Sequence, residues 1–110
     1  MSALAERLVR AREEWVRAGA HEFLVRRPAL LALAGVETRA LVCRAVVGWR
    51  NVTEGDVFDG GSSRPVQFEA ALAEEWLSDR PDLFAPVLEK LEMMITAYSE
   101  RRASAEKNSA

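Results

Sequence analysis

The sequence predicts a mainly α-helical fold: a small single-domain helical protein with a minor N-terminal β-hairpin. Two observations favour helices, namely apolar residues at helical spacing in the last third of the chain and a segment, 37–47, that is apolar on nearly every side. Two short apolar segments around Gly19 favour the hairpin. With 110 residues, 49% apolar and 29% charged, the chain is expected to fold around one core. We expect the domain to cover residues 1–102 and a polar flexible tail to occupy 103–110.

The N-terminal segment starts with helical spacing and then changes pattern. Residues 3–13 are predicted to form a helix with Ser2 as its N-cap, and a frayed start is the alternative. Residues 15–17 and 22–26 then indicate two short strands on either side of a turn at Gly19. A helix that continues through the first strand is the alternative, and Gly19 disfavours it because glycine weakens helix interiors.

The middle of the chain predicts two helices. Pro28 suits the first turn of a helix over 29–33, and Gly35 is placed to end it. A second helix is predicted from Glu37 to Val47. Because its apolar residues nearly surround the axis, we expect it to be the central buried helix.

A loop separates this part from the C-terminal helices. Residues 53–56 resemble a helix start, but the glycines that follow allow one turn at most, and 59–63 are predicted to be a mobile loop. A helix ending near 78–80 comes next, because apolar residues mark one face at helical spacing. These residues are Phe68, Leu72, Trp76 and Leu77.

The last helix is predicted to begin at Pro81, with Pro86 still in its first turns, where a missing N–H costs little. Its long apolar stripe reaches Tyr98, and the polar chain from Arg101 onward is expected to fray. Large aromatic side chains are expected to anchor the core. They are Trp15, Phe23, Trp49, Phe68, Trp76 and Phe84.

No pattern in the sequence indicates catalysis, a cofactor or a metal. Phosphate-binding loops, nucleophile elbows, metal-ligand spacings and the calcium-loop pattern are all absent. Glu74 and Glu75 diverge by about 100° on a helix and cannot act on one substrate. His21 is expected to be a surface polar residue and Cys43 a buried thiol without a disulfide partner. We therefore predict a protein that binds others and is not an enzyme.

Charge and hydropathy narrow the choice of partners. Residues 1–50 carry nine Arg and five Glu, for +4, whereas residues 51–110 carry six basic and twelve acidic residues, for −6. The two halves could attract each other or neighbouring copies, or simply be solvated. A helix-turn-helix at residues 79–81 is disfavoured because acidic residues dominate its second helix, so nucleic-acid binding is not expected. No stretch is apolar enough to span a membrane and the start lacks a secretory signal, so we expect a cytoplasmic protein.

Five short motifs in order resemble one family over about residues 14–102. They are Trp15-Val16 with Gly19; Phe23-Leu24-Val25-Arg26-Arg27-Pro28; Val46-Val47-Gly48-Trp49 with Val52-Thr53; Pro65-Val66-Gln67-Phe68; and Trp76 with Asp79-Arg80-Pro81-Asp82-Leu83-Phe84 and Pro86. Together they resemble the tail assembly chaperones of long-tailed bacteriophages and prophages.

The resemblance implies a mainly helical, non-catalytic protein that binds the tape measure protein in the host cytoplasm. It also implies that the protein acts in multiple copies and is absent from the finished virion. A further implication is that it helps to recruit tail tube subunits, in some relatives through a longer product made by frameshifting. Some residues are predicted to contact partners. They are Met93, Met94, Tyr98, Arg26, Arg27 and Phe58. The alternative is a structural head–tail connector or tail completion protein, which would persist in virions.

Overall fold

The computed structural model describes residues 2–109. Met1 and Ala110, the outer ends of the predicted domain and tail, lie outside the described residues. The elements in chain order are α1 (Ala3–Arg10), β1 (Glu13–Ala18), β2 (His21–Arg26), a 3-10 turn (Leu30–Leu33), α2 (Thr38–Ala45), β3 (Val46–Arg50), α3 (Glu54–Val57), α4 (Ala70–Ser78) and α5 (Pro81–Ser109). The described chain is therefore a mixed α/β fold, with more than half of it helical and a small three-stranded sheet.

The antiparallel sheet has the order β1-β2-β3. The predicted hairpin is confirmed, with Gly19 in the left-handed region at φ +63° in its turn. The prediction of helix through Val47 is wrong, because the helix ends at Ala45 and the chain becomes β3. Val46 and Val47 are β-branched residues, which favour strands, and β2 offers them a free edge for pairing. The expectation of a hairpin alone is thus corrected to three strands.

The other helices follow the predicted positions with different lengths. Ser2 caps α1 by accepting a hydrogen bond from the Ala5 N–H at 3.1 Å, as predicted. The segment after Pro28 forms one 3-10 turn, and α3 is the single turn expected after Thr53. Phe68 precedes α4 instead of lying on its face, because the helix begins at Ala70.

α5 is longer than predicted. It begins at Pro81, includes Pro86 in its second turn and continues to Ser109, through the segment expected to be a polar tail. The side chains of residues 101–108 are all exposed. Residues 101–108 therefore contribute no buried side chain to the core.

The core lies between one face of the sheet and helices α2, α4 and α5. Strand β2 alternates strictly, so that His21, Phe23 and Val25 point inward. Residue register decides which aromatic residues join them: Phe23 is opposite Trp49, and both rings lie within 6.5 Å of each other and of Trp76.

Trp15 does not anchor this core. Trp15 pairs with Leu24 of β2, and Leu24 pairs with Gly48 of β3. Directly opposite residues share a face of the sheet, and Leu24 points away from the core, so Trp15 lies on the outer face. The indole is 39% exposed, and the Arg50 guanidinium lies 3.9 Å from its ring centroid. The expectation that Trp15 is a core anchor is corrected, because the pleat assigns its position to the outer face.

The remaining anchors pack as expected. Phe23, Trp49 and Trp76 are buried, and Phe68 and Phe84 are half-buried against the core cluster. The Trp49 Nε1–H donates to the Val66 carbonyl oxygen at 2.8 Å, which ties β3 to the segment before α4.

Candidate interaction surfaces

Helix α1 presents an apolar strip that is largely exposed. Leu4 is 74% and Leu8 is 55% exposed, and no residue of this helix is buried. The two leucines are four residues apart, so they lie on the same side of the helix, with Arg7 beside them. α1 is thus a short amphipathic helix with a basic flank.

The outer face of α5 presents a second, acidic strip. Met93 is 59% exposed and lies in a shallow depression that Glu89, Glu92 and Glu100 border. These four residues lie on one side of α5, opposite the buried stripe of the helix. This face can contact an apolar side chain that has basic neighbours.

A third surface is a cleft of about 210 Å³ between the end of α1 and the middle of α5. We call it the arginine cleft, because Arg12, Arg27 and Arg101 all line it. The Arg27 guanidinium lies 3.8 Å from the Tyr98 ring centroid, and the Arg101 guanidinium lies 6.0 Å from the same ring. Such stacking is a favourable cation–π arrangement.

Arg27 is buried at this cleft, with 6% of the residue exposed. Its Nη1–H donates to the Pro28 carbonyl oxygen at 2.8 Å. Burial lowers the pKa of the Arg27 guanidinium, and the positive charges of Arg12 and Arg101 lower it further, whereas Tyr98 raises it. The sequence analysis missed Arg12 and Arg101, although the hairpin register, once known, places Arg12 opposite Arg27.

The predicted partner-binding residues separate into different environments. Met93 and Phe58 are 59% and 58% exposed, whereas Met94 is only 6% exposed and belongs to the core. Tyr98 and Arg27 lie together in the arginine cleft, and the Arg26 Nη2 lies 2.7 Å from a Glu13 carboxylate oxygen across the hairpin. Met94 therefore packs in the core and also lines one wall of the arginine cleft, and its contact with a partner stays a prediction.

Hydrogen bonds hold the loop that was expected to be mobile. The Thr53 N–H and hydroxyl donate to Asp56 Oδ2 at 2.8 and 2.9 Å, which forms the cap of α3. The Ser62 hydroxyl donates to Glu54 Oε1 at 2.7 Å. Gly61 lies so close to this turn that an added Cβ would be 2.5 Å from the Glu54 carbonyl.

His21 is not a surface residue, contrary to the sequence-based expectation. It is 8% exposed because it lies on the inward-facing side of β2, and its Nδ1 lies 2.8 Å from the Asn51 carbonyl oxygen. Its ring packs edge-on against Trp76 at 5.2 Å, and an Asp56 carboxylate oxygen lies 3.9 Å from Nδ1. His21 thus connects the hairpin turn to the segment that precedes α3. Cys43 is buried, as predicted.

Within residues 2–109, no group of three or more His, Cys, Asp or Glu side chains is arranged to hold a metal ion. None of the helices described in this range has both the length and the apolar character needed to cross a membrane.

Comparisons with known proteins returned no match: none from a scan of protein-family models, none among curated proteins and none among solved structures.

Proposed function

We propose that this chain is a tail assembly chaperone of a long-tailed bacteriophage or prophage. In this role it binds the tape measure protein in the bacterial cytoplasm, helps to recruit tail tube subunits, and catalyses no reaction. The motifs between Trp15 and Pro86 that resemble this family support the proposal. The structural observation that supports it is the apolar strip on α1, where Leu4 is 74% and Leu8 is 55% exposed.

Such exposed strips suit a protein that covers another chain. A tape measure protein is a long helical polymer, and its apolar stripes would promote aggregation until the tail forms around it. Amphipathic helices bind by placing apolar residues against a complementary apolar strip. Leu4 and Leu8 on α1, together with Met93 on α5, offer such exposed apolar side chains on two helices. Many copies along one tape measure chain would cover it.

The direct test is co-expression with the tape measure gene expected just downstream, followed by affinity purification of this chain. We expect soluble tape measure protein to be recovered with several copies of this chain. An insoluble tape measure protein and an isolated small domain would contradict the proposal.

Paired variants locate the contact. Leu4→Ser and Met93→Ser remove exposed apolar side chains from α1 and α5, and we expect each to reduce the recovered tape measure protein without lowering the melting temperature. Leu31→Ser is the matched control, because Leu31 is 93% exposed on a different element. Equal losses for all three variants would indicate non-specific adhesion.

Mass spectrometry of purified particles separates the chaperone from a structural connector. We expect the chain to be absent or strongly depleted in virions. Recovery at a fixed copy number per particle would favour the head–tail connector or tail completion protein instead.

A further inference from the structure

The arginine cleft begins with an unusual pairing in the sheet. The hairpin register places Glu13 opposite Arg26, and one step further the Arg27 N–H donates to the Arg12 carbonyl oxygen at 2.8 Å. Arg12 and Arg27 are therefore direct neighbours across the end of the ladder. Like charges directly opposite each other destabilise a strand pair.

The next pair of the hairpin, Glu13 with Arg26, and the Glu22–Arg50 pair between β2 and β3 have opposite charges instead. The Arg26 Nη2 lies 2.7 Å from Glu13 Oε2, and the Arg50 Nε donates to Glu22 Oε2 at 2.8 Å. The sheet thus pairs charges favourably at both of these positions and places like charges together at the cleft. This contrast is a reason to ask what the two arginines bind.

The arginines of the cleft also lack acidic partners. In the part of the chain that the structure describes, no carboxylate lies within 4 Å of the guanidinium of Arg12, Arg27 or Arg101. The Arg12 Nε is buried and has no hydrogen-bond partner. Glu14 also lines the cleft, but its Oε1 lies 2.9 Å from the Lys90 Nζ. A buried donor without an acceptor is costly, so this arrangement favours an anionic ligand.

Apolar residues beside the arginines indicate the kind of ligand. Leu8, Ala11 and the inner Met94 line the same cleft. Guanidinium groups bind carboxylates through paired N–H donors, whereas the apolar wall needs an apolar neighbour on the ligand. From this juxtaposition we infer that the arginine cleft binds a Glu or Asp carboxylate on an acidic amphipathic helical segment of a protein partner.

A nucleic acid fits the surroundings less well. It would bring many phosphates close to Glu14, which lines the cleft itself, and like charges repel. A peptide brings one or two carboxylates into a cleft of about 210 Å³ and places an apolar side chain against Leu8. The inference does not require that the partner be the tape measure protein, so it is separable from the proposed function.

The test uses the full chain and a labelled synthetic helix of about 18 residues, or five turns, with one stripe of alternating Leu and Glu. A second peptide has every Glu replaced by Gln. Fluorescence anisotropy measures binding to the wild type, to Arg12→Gln and to Arg101→Gln. Arg44→Gln is the control with the same charge change, because Arg44 is exposed on α2 away from the cleft. Inorganic phosphate and a short DNA duplex serve as further probes.

We expect the Glu peptide to bind at least about tenfold more tightly than the Gln peptide, since a charge-assisted hydrogen bond is worth about a tenfold change or more. Arg12→Gln and Arg101→Gln should each weaken binding about tenfold, and Arg44→Gln less than about twofold. Because Arg12→Gln removes a like charge beside Arg27, the melting temperature of the free variant should stay the same or rise. If Arg12 only stabilised the fold, Arg12→Gln would instead lower the melting temperature.

Several results would overturn the inference. They are equal binding of the two peptides, an equal loss in Arg44→Gln, tighter binding of the DNA duplex than of the peptide, or stabilisation by phosphate without peptide binding. Peptide binding without capture of the tape measure protein would leave this inference standing and remove the proposed function. If Arg12→Gln still captured the tape measure protein and no peptide bound, the proposed function would stand and this inference would be overturned.

Discussion

Replacing Trp49 by Ala is the sharpest test of how this core is built. The side chain is 9% exposed, and its ring lies 5.1 Å from Phe68, 5.7 Å from Trp76 and 6.5 Å from Phe23, each at a steep angle. Edge-to-face pairs of this kind contribute beyond the area they bury. We therefore expect Trp49→Ala to lower the free energy of unfolding by about 3–5 kcal/mol.

The matched comparison is Trp15→Ala, which removes the same side chain from the outer face of the sheet. Trp15 is 39% exposed and its main polar contact is the stacked Arg50 guanidinium, so we expect a loss of only about 1–2 kcal/mol. A third variant, Trp49→Phe, retains a ring but removes the N–H that donates to Val66, at an expected cost of about 1–3 kcal/mol.

The free energies of unfolding of all three variants are measured by urea denaturation. Far-ultraviolet circular dichroism monitors the unfolding, because this signal does not depend on a particular tryptophan. Equal denaturant slopes would confirm that the free energies are comparable. For a domain of this size, the Trp49→Ala loss corresponds to a fall of roughly 12–20 °C in melting temperature. Equal costs for Trp15→Ala and Trp49→Ala would refute the assignment of opposite faces by register.

Three further predictions concern the loop between β3 and α4. Thr53→Ala removes part of the cap of α3 and should cost about 0.5–2 kcal/mol, measured by the same denaturation. Gly61→Ala should cost about 1–3 kcal/mol, because its Cβ would meet the Glu54 backbone at 2.5 Å, whereas Ser63→Ala on the exposed part of the loop should change stability by less than about 0.5 kcal/mol. The hydrogen bond from the Thr53 N–H lowers the pKa of the Asp56 carboxyl in the folded protein. The ionised Asp56 therefore stabilises the fold fully above its unfolded-state pKa of about 3.9, and this contribution is lost as the pH falls through the lower folded-state pKa. Asp56→Asn should flatten the pH dependence of the melting temperature in that range.

Local sequence determined the features of this protein that depend on close neighbours along the chain. Ser2 caps α1 because its hydroxyl is three residues from the N–H it accepts from, and the turn at Gly19 forms because glycine adopts a positive φ at low cost. The buried stripe of α5 follows from helical spacing within that segment. A reader of the sequence can predict such features, since every interacting group lies within a few residues.

Tertiary contacts decided the features that sequence reasoning predicted wrongly or missed. Val46–Arg50 is compatible with a helix end or a strand, and the free edge of β2 made it a strand. The same sheet turned Trp15 outward and His21 inward, because the pleat assigns alternate residues to opposite faces once the partner strand is fixed.

The arginine cleft is the clearest case of a site that only the folded chain creates. Arg12, Arg27 and Arg101 are distant in sequence: the sequence analysis predicts Arg27 as a partner contact, but no local pattern marks Arg12 or Arg101 as part of the same site. Strand pairing places the first two side by side, and the packing of α5 against the sheet adds the third together with Tyr98. Composition showed an excess of arginine in the first half of the chain, but where those charges converge depends on non-local contacts, which a short stretch of sequence does not encode.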